Sequence, residues 1–176
     1  MQRVFFSIGP VVGEILAPQF LEMWEILGRP GDFTLVEQGA NDVTVINDAY
    51  NANPESMSAA LVAARDIAGD GRLGVVVGEM LELGDQSNQA HVDLGTAVAN
   101  ATPAWVITVG SVSEPIESGA VSAGLSPEVI SRVDSAPLAI RKALELVQPG
   151  DVVLIKASRG IGLEVVAQAL VGGDKA

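Results

Sequence analysis

From Asp42 onward, short runs of β-branched and aliphatic residues alternate with longer stretches whose apolar positions recur every three or four residues. The runs "DVTVIND", "RLGVVVGEM", "AWVITVG", "EVISRV" and "GDVVLIKAS" predict five strands. Between them the spacing predicts helices. "PESMSAALVAARDIAG" opens with Pro54 at a first turn and closes at Gly69; others lie around "NQAHVDLGTAVAN", from Ser111 to Ala123, in "APLAIRKALELV" and in "IGLEVVAQALV". Strands that are apolar throughout belong in a parallel sheet covered on both faces. The prediction is an α/β fold, a Rossmann-like three-layer sandwich with a mostly parallel sheet. Ligands of such sheets collect where strands turn into helices at their carboxyl ends. Here those turns are "NDAYNANPES", "VGEMLELGDQS", "VGSVSEP" and "KASRGIG".

The first forty residues differ in character. "DFTLVEQ" is expected to pair with "DVTVIND" through the turn from Gly39 to Asp42, making an antiparallel hairpin on the sheet edge. "FLEMWEIL" reads as an amphipathic helix. The apolar stretch from Val4 to Ala17 is interrupted by Glu14 and bracketed by Pro10 and Pro18. It falls short of the roughly 20 residues a membrane span needs, and its charge makes a poor signal peptide. The expected division is an unassigned amino-terminal segment, 1–30, and one Rossmann-like domain, 31–176.

Charge narrows the function. A net charge of -12 with only ten Lys and Arg argues against a nucleic-acid surface. There is no cysteine, which excludes disulfides, thiolate nucleophiles and Cys-based zinc sites, and the single histidine, His91, cannot form a metal cluster by itself. No metal site, no nucleic acid and no membrane partner are expected, and the localisation expected is cytoplasmic. Against this acidic background, Lys156 and Arg159 in one glycine-rich turn stand out.

That turn, "IKASRGIGLE", has the outline of a dinucleotide-binding loop. Such a loop must open a nucleotide-binding unit, yet too little chain follows Gly162 for more than one helix. Lys156 also stands where a glycine should admit the pyrophosphate. What remains is a strand ending in Lys156, then Ser158 and Arg159, then a helix amino terminus, which suits an anion. The plainer reading is two solvated strand-end cations and a glycine-shaped turn.

"NDAYNANPES" ends the first strand of the sheet with Asp48 at its tip and Asn51 and Asn53 after it. A carboxylate and two amides suit ribose hydroxyls, base edges or a peptide. Helix capping by Asn53 and turn chemistry at Asn51 are the bland alternative. Capping accounts for one asparagine and not for the whole run.

"DAYNANPES" resembles the signature that opens the carboxy-terminal domain of MurF-type Mur ligases, the peptidoglycan enzymes joining D-Ala-D-Ala to UDP-N-acetylmuramoyl-tripeptide. "VVGEMLELGDQSNQAH" and "VLIKASRGIGLE" resemble two further stretches of that family in the same order, so the resemblance runs from about Asp42 to Leu170. Ala157 departs from it, standing where a glycine is frequent. The resemblance implies a tripeptide carboxylate activated by ATP as an acyl phosphate, then attacked by the dipeptide amine. It implies Asp48, Asn51 and Asn53 at the nucleotide's ribose and base. Lys156, Ser158 and Arg159 would face phosphate or the dipeptide carboxylate, and His91 the dipeptide. A structural hydrogen-bonding role is the alternative for His91. Lys156→Ala and Asp48→Ala are expected to cut activity and leave the fold intact.

Phosphoryl transfer also needs a phosphate cradle and magnesium. The chain contains no Gly-Lys pair and so no P-loop. In the family that loop lies in a central domain behind a UDP-sugar-binding domain. ATP and Mg are thus expected to be bound mainly by that central domain, the catalytic set is incomplete here, and the isolated chain is expected to be inactive. Two alternatives stay open. One is a non-catalytic module binding D-Ala-D-Ala or a partner. The other is a domain of a related Mur or folylpolyglutamate amide ligase, which the asparagine at position 51 disfavours because those relatives commonly carry histidine there.

Overall fold

The computed structural model describes residues 3–8, 11–16 and 35–172. Strands β1 (Arg3–Ile8) and β2 (Val11–Leu16) pair antiparallel as a two-stranded sheet. The apolar stretch that begins at Val4 is therefore strand hairpin, an assignment its composition alone did not supply. "FLEMWEIL" lies outside the described residues.

The main sheet has six strands: β3 (Leu35–Gln38), β4 (Thr44–Asp48), β5 (Leu73–Val77), β6 (Trp105–Val109), β7 (Ile130–Val133) and β8 (Val152–Lys156). Their spatial order is β3-β4-β8-β5-β6-β7, parallel throughout except for β3, which runs antiparallel to β4 at the edge. The edge hairpin expected through Gly39 to Asp42 is there. Asn41 and Asp42 take φ of 57° and 61° in its turn, a left-handed region that Asn and Asp tolerate better than most residues.

Alternation along each strand builds two cores. Leu73, Val75, Val77, Val106, Val152 and Leu154 face one side. There they meet α1 (Pro54–Ala68), α2 (Ser87–Asn100) and α3 (Ser113–Ser122) through Met57, Leu61, Leu94, Val98 and Ile116. Val45, Val76, Ile107, Val153 and Ile155 face the other side, against α4 (Ala136–Leu146) and α5 (Glu164–Gly172). The result is the three-layer sandwich. Because both faces are covered, the central strands are apolar at nearly every position, with Thr108 and Lys156 the buried exceptions, and β5 and β6 are buried throughout.

Three places show how tightly the layers meet. Gly74 leaves room for the indole of Trp105, which a Cβ there would approach to 2.1 Å. Gly95 and Gly119 let α2 and α3 touch backbone to backbone. At the amino-terminal end of the sheet, buried Asp151 accepts from Arg72 Nε at 2.8 Å, Trp105 Nε1 at 3.1 Å and Gln148 N at 3.0 Å. Its role is to tie strands together, far from the turns where ligands collect.

The last strand placed in the sheet matters most for function. β8 enters between β4 and β5, and its helix α5 leaves on the face opposite to α1 and α2. Connections that diverge to opposite faces open a crevice at the carboxyl ends of the strands. That crevice is bordered by Asp48, Lys156 and Gly78.

Candidate functional site

Parallel register sets Asp48 of β4 directly beside Lys156 of β8. The Lys156 ammonium sits 2.7 Å from Asp48 Oδ2 and donates to the Asn51 carbonyl at 2.7 Å. Its side chain is 2% exposed and that of Asp48 15%. Lys156, expected at phosphate or the dipeptide carboxylate, here forms an internal clamp. It fixes the turn after β4 from below, by charge at one end and by a backbone carbonyl at the other. Lys156→Ala takes the cation from beside Asp48 and Asp48→Ala leaves a buried ammonium short of its carboxylate, so both are expected to cost stability as well as activity.

Asn53 caps α1. Its Oδ1 accepts from Ser56 N at 2.8 Å while Ser56 Oγ accepts from Asn53 N at 3.1 Å, a reciprocal capping box. The capping alternative thus describes this asparagine. Asn51 differs: its carbonyl is held by Lys156 and its side chain is exposed.

The second turn, after β5, is pinned by the other predicted residues. Ser158 N donates to Glu79 O at 3.0 Å, and Leu81 N donates to Ser158 Oγ at 2.9 Å. His91 is fully buried. Its Nδ1 lies 2.6 Å from the Ser87 carbonyl, which can only accept, so the proton is assigned to Nδ1. Nε2 then accepts from Met80 N at 2.9 Å. Both ring nitrogens are engaged with backbone, and the imidazole holds the loop that follows β5.

Arg159 is exposed at the start of the turn after β8. Its guanidinium carbon lies 4.9 Å from the centre of the Tyr50 ring, and Nη1 donates to the Tyr50 hydroxyl at 3.3 Å. Nothing in the motif "DAYNANPES" by itself assigns Tyr50 a role. The available signal was its singularity, since the chain has one tyrosine.

Beside these turns lies an open cleft of about 730 Å³ between the loops after β5 and β6. Glu79, Asp85 and Glu114 line it, and three carboxylates repel phosphate. An anion is therefore favoured on the Arg159 side of the carboxyl-end face. Among the described residues no group of three or more His, Asp or Glu is placed to hold a metal ion, and no helix is long and apolar enough to cross a membrane.

Of the seven residues singled out from the sequence, Asp48, Lys156, Asn53, Ser158 and His91 hold the turns in place. Asn51 and Arg159 present side chains outward.

Residues 33–159 match the family described as Mur ligase, glutamate ligase domain. Over 129 residues the chain is 34% identical to the UDP-N-acetylmuramoyl-tripeptide–D-alanyl-D-alanine ligase of Bacillus subtilis (strain 168), covering 73% of this chain and 28% of that protein. Over 151 residues it is 39% identical to the ligase of the same name from Mycobacterium tuberculosis (strain CDC 1551 / Oshkosh), covering 75% and 29%. A crystal structure of MurF from Acinetobacter baumannii superposes with a TM-score of 0.66 at 28% identity, over 78% of this chain and 29% of that one. MurF ligase from Thermotoga maritima, solved in complex with ADP, shares the fold with a TM-score of 0.64 at 22% identity, over 97% and 43%. The chain spans under a third of the length of the curated relatives named here. With motifs, sheet order and sequence match in agreement, the chain belongs to the Mur ligase family, as its carboxy-terminal, glutamate ligase domain.

Proposed function

We propose that this chain is the carboxy-terminal part of the ATP-dependent ligase that adds D-Ala-D-Ala to UDP-N-acetylmuramoyl-tripeptide in peptidoglycan synthesis. The observation that carries the reading is the agreement of the curated relatives on one reaction, at 30–40% identity over most of the chain. The two asparagines of "DAYNANPES" support it from the sequence side.

In the proposed reaction a carboxylate oxygen of the tripeptide attacks the γ-phosphorus of ATP and ADP leaves. The dipeptide amine then adds to the acyl carbon, phosphate departs, and the nitrogen gives up a proton. The chain's part is to bind and orient. Asn51 offers an amide to the nucleotide's ribose or base, and Arg159 offers a guanidinium to phosphate or to the dipeptide carboxylate. Asp48 and Lys156 hold Asn51 where it can do so, while Ser158 and His91 fix the loop beside it. ATP would be shared with other domains of the ligase, as would the magnesium it carries, for which the described residues offer no ligand cluster. Nucleotide-linked substrates place the work in the cytoplasm.

Titration of the ¹⁵N-labelled chain tests this directly. ATP and D-Ala-D-Ala at millimolar concentration are expected to move the amide signals of residues 48–53 and 156–162, with D-Ala alone much weaker and no ATP consumed. A chain that ignores both ligands, or that prefers a single amino acid, would argue for a different ligase of the family or for a non-catalytic module.

A further inference from the structure

Like Arg65, whose guanidinium donates to the Gly69 and Gly71 carbonyls, and Arg141, Arg159 stands outside the ion pairs of the described residues, but it does so at the carboxyl-end face. Arg72, Arg132, Lys142 and Lys156 each lie on a carboxylate. Among the described residues no ion pair includes Arg159, and its recorded contacts are the ring and hydroxyl of Tyr50. A guanidinium lying on an aromatic face keeps most of its five N–H donors directed outward, because the ring takes none of them in its plane. One is spent on the Tyr50 hydroxyl.

Both members of this pair stand on fixed ground. The residue after Tyr50 has its carbonyl held by the buried Lys156. The residue before Arg159 is bonded through its amide to Glu79 O and through its hydroxyl to Leu81 N. The short turn beyond is closed by Ile161 N donating to Ser158 O at 2.9 Å and Gly162 N to Arg159 O at 3.1 Å. Tyr50 itself is 45% exposed and contributes little to either core. An exposed aromatic ring on a clamped loop, with a guanidinium laid on it, is poor use of a tyrosine for stability alone. It is good use for restraining a long side chain before a ligand arrives, since the ordering cost is then met in the free protein.

We propose that Tyr50 is a positioning residue that presents the Arg159 guanidinium as a preset fork for an oxyanion, and thereby sets affinity for the ligand's phosphate or carboxylate. This rests on the ligase reading above for the identity of the ligand, and not for the existence of the fork. The ring supplies the restraint and the hydroxyl refines it. Tyr50→Phe should therefore preserve most of the effect and Tyr50→Leu should abolish it.

The test follows the Arg159 Nε–H signal of the ¹⁵N-labelled chain at fixed ionic strength. Its probes are sodium tripolyphosphate, D-Ala-D-Ala, and the dipeptide carboxamide that lacks the carboxylate. We expect at least one oxyanion to shift that signal saturably. Tripolyphosphate acting alone identifies phosphate as the partner; D-Ala-D-Ala acting where its carboxamide does not identifies the carboxylate. Tyr50→Leu should weaken that binding roughly fivefold or more, and Tyr50→Phe should stay within about twofold of wild type. Signals from the two cores should be unchanged in both variants, which separates positioning from unfolding. Wild-type affinity in Tyr50→Leu would overturn the proposal, as would an Arg159 signal that no oxyanion moves. Tyr50-dependent binding of tripolyphosphate with no response to ATP or D-Ala-D-Ala would uphold the fork and remove the ligase reading. Ligand responses at Asn51 with a silent Arg159 would do the reverse.

Discussion

Lys156→Ala is expected to destabilise the chain by about 3 kcal/mol, the lower part of the range for breaking a buried ion pair. The variant takes the cation from the Asp48 carboxylate at the end of β4 and the donor from the Asn51 carbonyl, and empties the space filled by the lysine stem. An exposed ion pair would cost only ~0–1 kcal/mol. The 2% exposure of Lys156 decides between the two cases. Asp48 retains 15% exposure and can recover some hydration, which keeps the figure from the top of the range. Lys156→Met should restore packing without charge and so recover only part of the loss. Urea unfolding of the three proteins measures this. A loss below about 1 kcal/mol in Lys156→Ala would mean that the pair behaves as a surface contact.

The second large effect is expected at a helix crossing. In Gly119→Ala the new Cβ would lie 1.9 Å from the Val92 carbonyl oxygen and 2.8 Å from its carbon, both backbone atoms of α2. No side-chain rotation relieves that contact, so α2 and α3 must move apart along their shared face. Alanine gains roughly 1 kcal/mol over glycine in a helix interior, while forced overpacking costs about 1–3 kcal/mol and more where backbone must shift. Separation also breaks the facing contact at Gly95, whose own Cβ would meet the Ile116 carbonyl oxygen at 2.0 Å. The clash therefore wins, and a net loss of roughly 2 kcal/mol is expected. A thermal melt at or above that of wild type would show that the helices are further apart than described.

These two sites also show where reading the sequence succeeds and where it stops. Strands such as "VVLIK" and "LGVVV" are legible because burial on both faces demands apolar residues along nearly their whole length, a local signature to which Lys156 is the exception. The helix from Pro54 is legible for a similar reason, since proline, cap and glycine stop lie within one stretch. The Asp48–Lys156 clamp is not legible, because it depends on β8 entering the sheet beside β4 rather than at its edge. Chemistry alone suggested that a lysine and an aspartate in two glycine- and asparagine-rich turns would each seek a ligand. Topology sets them beside each other. His91 posed the same question, and the answer lay in a backbone N–H from a loop whose path no local pattern specifies. The part played by Tyr50 is not legible either, because no local rule says which guanidinium will lie on a ring.

We propose above that these turns belong to a ligase acting on D-Ala-D-Ala. This is tested most directly by grafting residues 33–172 in place of the matching segment of the Mycobacterium tuberculosis relative. The assay measures ATP-dependent joining of D-Ala-D-Ala to UDP-N-acetylmuramoyl-tripeptide. The expected result is amide formation with the dipeptide, feeble activity with D-Ala, and a fall of about tenfold or more in kcat/KM for Asn51→Ala, the loss of roughly one charge-assisted or buried hydrogen bond. A chimera that folds and melts like its parent yet joins only a single amino acid, or is indifferent to Asn51, would contradict it.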